Sequence, residues 1–277
     1  MNLWDTHMHT AFSGDCDIPP EVMLNTAKEK GLSGIIFTDH LDWDYPNEPG
    51  RFDLELDDYF LYMGKLAEIE AKNPPAIKQT EFRVGVELGL QTHLKERHEK
   101  LLAELPFDYV IGSIHVVHGK DPYFASYFEG RTAKEAYTEY FKCMLENLKI
   151  FYDIDSLGHL DYVVRYGMRH LGKEAGTCHY ADYADLIDEI FRFLIDHDIA
   201  LEVNTGSYRC DMTEPNPSFE LLRRYRELGG EKITIGADAH HTEHVGLHFE
   251  ALPTELKNLG FTHYLIHKNR TPQKLPL

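Results

Sequence analysis

Cysteine is scarce: Cys16, Cys143, Cys178 and Cys210 stand far apart in 277 residues, and no C-x-x-C pair offers thiolates to zinc or the start of a disulfide framework. They read as reduced and structural. No apolar run comes near the length that crosses a bilayer, which excludes a membrane partner of that kind. The opening Met1-Asn2-Leu3-Trp4-Asp5 lacks a basic segment followed by an apolar stretch, so the cytoplasm is the expected compartment. Positive charge is also in short supply. With 28 Lys and Arg against 46 Asp and Glu the net charge is −18, and no basic stripe remains to attract nucleic acid. Gly/Ser linkers, low-complexity tracts and internal repeats are absent, which leaves no internal boundary: a single domain over residues 1–277 is expected. No obligate protein partner is evident.

What is present points one way. The acidic excess can be balanced by bound cations, and the chain carries 17 histidines. β-Branched apolar runs at 2–5, 34–38, 83–87, 109–114, 156–159, 200–204, 232–237 and 262–267 read as strands. Between them, "PPEVMLNTAKEKG" has proline at a helix start and Gly31 at its end, and the segments 57–72, 132–150, 182–196 and 216–228 carry apolar residues at helical spacing. Alternating strands and helices predict an α/β fold with parallel strands. Nearly every strand ends in a potential ligand: His7 and His9, His40, Glu87, His115, His159, then Asp238 and His240. In a parallel barrel all these ends open on one face. The acidic and aromatic stretch "DHLDWDYPNEPGRFD" after the second strand is read as a loop over that face.

H-x-H alone is a weak signal. His7 and His9, at i and i+2 on an extended segment, point to one side roughly 6 to 7 Å apart, and Asp238 and His240 repeat the spacing near the other end of the chain. Joined to "TDH", "GVELG", "GSIH", "GHLD" and "GADAH", each at a strand end, the pair becomes part of a metal-binding set. Imidazole and carboxylate without thiolate favour Zn, Mn or Fe and do not choose among them.

These pieces, from "DTHMHTAFSGD" through "GADAHHTEHVG" to "YLIHKNRTP", resemble the polymerase and histidinol phosphatase (PHP) superfamily over essentially the whole chain, and within it are similar to the monofunctional bacterial histidinol-phosphate phosphatases. The resemblance implies a distorted (β/α)7 TIM-like barrel with the metal site at the C-terminal ends of the strands, so that one of the eight strand candidates, 262–267, lies outside the barrel. It implies three divalent metal ions: one held by His7, His9, Glu87 and Asp238, a second bridged by Glu87 and held by His115 and His159, a third held by Asp15, His40 and His240. The implied reaction is hydrolysis of L-histidinol phosphate to L-histidinol and inorganic phosphate in histidine biosynthesis, by in-line attack of a metal-bridging hydroxide. No Cys-x5-Arg loop or D-x-D-x-T/V motif is present, so a phosphoenzyme is unsupported.

Asp238 or His240 is expected to protonate the leaving oxygen. Arg165 in "DYVVRYG" and Arg209 in "NTGSYR" begin loops at the site face and suit phosphate oxygens, with Ser207 adding a hydrogen bond. Asp42, Trp43, Asp44, Tyr45 and Glu48 offer charge and aromatic faces to a cationic amine and an imidazole. The rival readings are a PHP-type enzyme acting on another small phosphate ester, a nucleotide or phosphotyrosine; an amidohydrolase-type barrel, which often carries a strand-end lysine not seen where Glu87 stands; and a non-catalytic metal-dependent binding protein. His118, His241 and His244 neighbour ligands and are left open between binding and structure.

Overall fold

The structure is a computed structural model that describes residues 3–72 and 80–277. Strands β1 (Trp4–Asp5), β2 (Gly34–Phe37), β3 (His40–Leu41), β4 (Glu81–Gly89), β5 (Tyr109–Ser113), β6 (Ser156–Leu157), β7 (Ala200–Asn204) and β8 (Ile233–Gly236) form one parallel sheet in the order β1-β2-β4-β5-β6-β7-β8, with β3 paired to β4. Asn2, which the sequence assigned to the first strand, lies outside the described residues. Beyond β1 the chain runs on beside the segment after β8. Thr6 N donates to the Ile235 carbonyl, Asp238 N to the His7 carbonyl and His9 N to the Ala239 carbonyl, each at 2.9 Å. These bonds nearly close a barrel of seven strands.

Runs such as "GIIF", "YVIGS" and "ITIG" are buried along their whole length, as parallel strands covered by helices must be. The covering helices are α1 (Pro20–Glu29), α2 (Leu56–Lys72), α3 (Lys95–Glu104), α4 (Ala133–Ile150), α5 (Val163–Leu171), α6 (Tyr180–Asp196), α7 (Phe219–Glu227) and α8 (Leu252–Asn258). α1 begins on a Pro-Pro pair whose missing N–H groups cost nothing there, and Gly31 beyond its end takes φ +70°. α4 starts with a capping box in which Thr132 and Glu135 each satisfy the other's backbone N–H. No described helix is long and apolar enough to cross a membrane.

Three helices and two strands escaped the sequence. α3, α5 and α8 are only 10, 9 and 7 residues long, too short for a period to stand out. β3 is two residues, visible only through its pairing of His40 with Glu87. β9 (His263–Lys268) stands off the barrel and pairs antiparallel with β10 (Thr271–Pro276) in a separate two-stranded ribbon. β10 holds Pro272 and Pro276 and polar exposed residues, which no strand pattern anticipates. The ribbon lies across the N-terminal end of the barrel: Tyr264 accepts from Trp4 N, and His267 stacks on Tyr109 at 5.0 Å.

Candidate metal centre

The C-terminal ends of the strands converge on one rim, and Glu87 sits in its middle. β4 is the longest barrel strand and carries Glu87 fully buried, with its carboxylate between two sets of histidines. Oε2 lies 3.2 Å from His7 Nε2, 3.5 Å from His9 Nε2 and 3.0 Å from His40 Nδ1. Oε1 lies 2.8 Å from His159 Nε2 and 3.3 Å from His115 Nε2, and accepts a 2.6 Å hydrogen bond from the Ser113 hydroxyl. His7 and His9 bring their Nε2 atoms to 3.0 Å. His9 is stacked between His40 and His240, with ring centroids at 4.2 and 4.1 Å.

Asp238 closes the first group: its Oδ1 stands 3.4 Å from His9 Nε2, 3.9 Å from His7 Nε2 and 3.5 Å from His240 Nδ1. Its backbone is left-handed, φ +54°, which is costly for an aspartate and is held here by the strand-like bond of its N–H to His7. Asp15, reached by the loop before α1, is the most exposed of the set; its Oδ2 lies 3.2 Å from His240 Nε2 and 3.7 Å from His40 Nε2. All nine residues of the sequence-derived ligand set therefore meet at one rim.

The donor set fits metal ions on two observations. Four groups, His7/His9/Glu87, His9/His40/His240, Glu87/His115/His159 and His40/Asp42/His115, bring one ligand atom per residue within 4.8 Å of one another. Among the described residues, His40 Nδ1, Glu87 Oε2, Asp42 Oδ2 and His159 Nδ1 are buried without a hydrogen-bond partner. Buried polar atoms without a well-aligned hydrogen bond are expensive, and a cation satisfies several at once. Burial opposes charge on His7, yet Glu202, Glu87 and Asp238 outweigh it and hold the imidazole well above its usual range. His115 is raised in the same way to about 10, burial being overcome by Asp42 and Glu87. His9 goes the other way, lowered by burial and by the neighbouring His240 and His40. Carboxylates and imidazoles are here set against one another as acid–base pairs, the donor chemistry that binds divalent metal ions by exchange for protons.

Beside the rim lies a cavity of about 660 Å³, lined by rim residues together with Arg165, Arg209, Asp121, Tyr45, Tyr162 and Tyr166. Arg165, in the first turn of α5, is buried under the Tyr162 ring. It reaches Asp238 Oδ2 at 3.5 Å and donates to Asn216 Oδ1 at 3.2 Å, while its Nε has no partner. Arg209 Nη2 meets the same Asp238 oxygen at 3.1 Å. Glu48 and Arg51 line the outer wall as an exposed pair, and His241 and His244 line it on the other side.

Four expected substrate contacts have protein partners of their own. Trp43 is turned away from the cavity: it stacks on His98 at 5.4 Å under Arg97, because the short β3 pins His40 inward and sends the third residue along to the α3 side. The Ser207 hydroxyl is buried and donates 2.6 Å to the Glu214 carbonyl, holding its own loop. Asp42 lines the cavity, yet its Oδ1 accepts a 2.8 Å bond from His115 Nδ1 and so braces a rim histidine. Asp44 is exposed and pairs with His93 at 3.0 Å. Sequence reasoning missed Glu202, Asp121, Tyr162 and Tyr166. Glu202 had a signal, an acid in the middle of the otherwise apolar strand "ALEVN"; the others lie on loops and helix starts with no pattern of their own.

A nearly closed α/β barrel with imidazoles and carboxylates crowded at its C-terminal rim defines a metal-binding hydrolase. The PHP domain model matches residues 5–206, most of the chain. The chain belongs to this family of phosphoesterases. The "Probable histidinol-phosphatase" of Clostridium acetobutylicum is 35% identical over 90% of each chain. The histidinol-phosphatase of Lactococcus lactis is 33% identical, covering 94% of this chain and 93% of the relative. The crystal structure of histidinol phosphate phosphatase from Lactococcus lactis, complexed with zinc, L-histidinol and phosphate, matches with a TM-score of 0.87 at 29% identity, covering 99% of both chains.

Proposed function

We propose that this chain is a histidinol-phosphatase that releases L-histidinol and inorganic phosphate, working as one domain over 1–277. Two arginines converging on Asp238 at the edge of the metal rim carry this reading: Arg209 at 3.1 Å and Arg165 at 3.5 Å put a cationic wall against the donor cluster, where a phosphoryl group is met by positive charge on both sides. Three ions suit nine donors, shared as His7, His9, Glu87 and Asp238; Glu87, His115 and His159; and Asp15, His40 and His240. Zinc is favoured by the zinc in the Lactococcus relative. The ions, when bound, draw charge from the phosphoryl oxygens and lower the pKa of coordinated water from ~15.7 towards about 7.

The remaining work falls to the chain's own residues. Arg165 and Arg209 bind and orient the phosphate. Asp121, held by Tyr45 at 2.6 Å and by the Tyr123 N–H at 2.7 Å, gives the cavity an acidic wall for the substrate amine, and the Tyr162 and Tyr166 rings give its imidazole a surface. Of the two expected proton donors, Asp238 and His240, 3.5 Å apart at the cavity edge, protonation of the leaving oxygen is assigned to His240, because burial of Asp238 is outweighed by Arg209 and His7, which hold its carboxylate ionised. The four cysteines are free, which suits the reducing cytoplasm. Phosphate release from histidinol phosphate, a nucleotide and a phosphotyrosine peptide, with metals counted per chain, tests the reading. A clear preference for either of the last two replaces the substrate and keeps the metal site.

A further inference from the structure

Glu202 is wholly buried on β7, below the rim and outside the cavity lining. A carboxylate there is tolerated only if every oxygen is bonded, and both are. Oε1 meets His7 Nδ1 at 2.6 Å. Oε2 accepts from the His159 backbone N–H at 2.7 Å and from the Asn204 side-chain amide at 3.1 Å. To reach His7 the carboxylate must pass over β8, and it does so at Gly236. A Cβ there would stand 2.3 Å from His7 Cβ and 2.7 Å from Glu202 Oε1.

We infer that Glu202 is the positioning residue of the rim: it fixes the Nδ1–H tautomer of His7, leaving Nε2 free for a cation, and with its other oxygen sets the strand-end backbone of His159. One side chain thereby couples a ligand of β1 to a ligand of β6, from a residue that touches neither substrate nor ion. The inference rests on the proposed ligand set. Its physical basis is general: the second nitrogen of a ligating imidazole is held by a carboxylate or carbonyl, and removing that partner weakens metal affinity 10- to 100-fold.

Zinc affinity is measured by competition with a chromophoric chelator for the wild-type chain, Glu202→Gln and Glu202→Asp. Glu202→Gln is expected to weaken zinc binding about 10- to 100-fold, with KM little changed because Glu202 does not line the cavity, and Glu202→Asp to recover part of the loss. In parallel, the zinc-loaded wild-type chain labelled with 15N-histidine is expected to show His7 protonated at Nδ1 and coordinated through Nε2, a readout that needs no variant to fold. Equal zinc affinity in Glu202→Gln and wild type, or the reverse tautomer of His7, overturns the inference while leaving the metal site in place. A wild-type chain that takes up no zinc overturns the metal reading itself, and the inference with it.

Discussion

The two mouths of the barrel hold the same kinds of side chain and treat them oppositely. At the N-terminal mouth the β9–β10 ribbon covers or carries two arginines, and each of them has partners. Arg83 donates 2.6 Å to the His267 carbonyl and 3.0 Å to the Gln273 side chain while lying 4.4 Å over the Trp4 ring. Arg270 takes Asp155 at 2.6 Å and Asp153 at 2.9 Å. At the C-terminal mouth, histidines and carboxylates are packed as closely, yet buried atoms of His40, Asp42, Glu87 and His159 make no hydrogen bond of good geometry. Cations supplied by the chain itself close one end. The other sets histidines against carboxylates around Glu87 with no lysine or arginine between them among the described residues, and such a concentration of strained, buried polar groups marks a functional end.

The comparison breaks if damage to the open end is no worse for catalysis than damage to the sealed one. Glu87→Gln should be the heaviest loss: it removes the charge shared by both histidine sets, and a fall of about a thousandfold in kcat/KM is expected, equivalent to about 4 kcal/mol of barrier. Chelation should lower the melting temperature of the wild-type chain, because buried donors without ions repel and desolvate one another; an unchanged melt counts against a metal core. Arg165→Ala should raise the barrier by about 2 to 3 kcal/mol, read as a 30- to 150-fold fall in kcat/KM, since a charged hydrogen bond to phosphate is lost.

At the sealed end the effects should fall on stability alone. Arg270→Ala strips two carboxylates of their partner, one of them that of half-buried Asp155; because the pair is partly exposed, about 2 kcal/mol of stability is expected to go, with kcat/KM within twofold. A matching loss of activity would mean that the ribbon also shapes the rim. The last effect is the smallest and is set by pH. Burial, with Arg270 and Arg83 nearby, lowers His267 to about 3 from an unfolded value near 6.5. A lowered histidine is neutral when folded, so its stability contribution is complete above pH 6.5 and is lost as pH falls from there towards 3. Between pH 7 and pH 5 the wild-type chain should therefore lose just under about 2 kcal/mol relative to His267→Phe, seen as a melting-temperature gap that changes with pH. A gap that stays constant would sink the assignment.

Legibility followed the same division. The rim could be read almost whole, because its donors stand at strand ends with short, repeated spacings: H-x-H at 7 and 9, D-x-H at 238 and 240, and single donors closing "GVELG", "GSIH" and "GHLD". The cavity wall could not. Trp43 and Ser207 sat in the right loops, but whether a loop side chain turns inward depends on a neighbouring pair such as His40 with Glu87, or on a carbonyl such as that of Glu214, neither of which leaves a trace in spacing. The ribbon was half seen: β9 has strand composition, and β10 has none.

The order and chemistry of the amino acids alone determined that strands and helices alternate and that the strand ends bear imidazoles and carboxylates. Those are local properties, carried by residue type and by periods of two or of three to four. Only the tertiary structure decided which nitrogen of each histidine faces Glu87, that Asp42 and Glu202 brace imidazoles from behind, and that Arg165 and Arg209 share one oxygen of Asp238. Such contacts join residues up to 195 positions apart, as His7 and Glu202 are, and a distance that long is set by how the barrel closes.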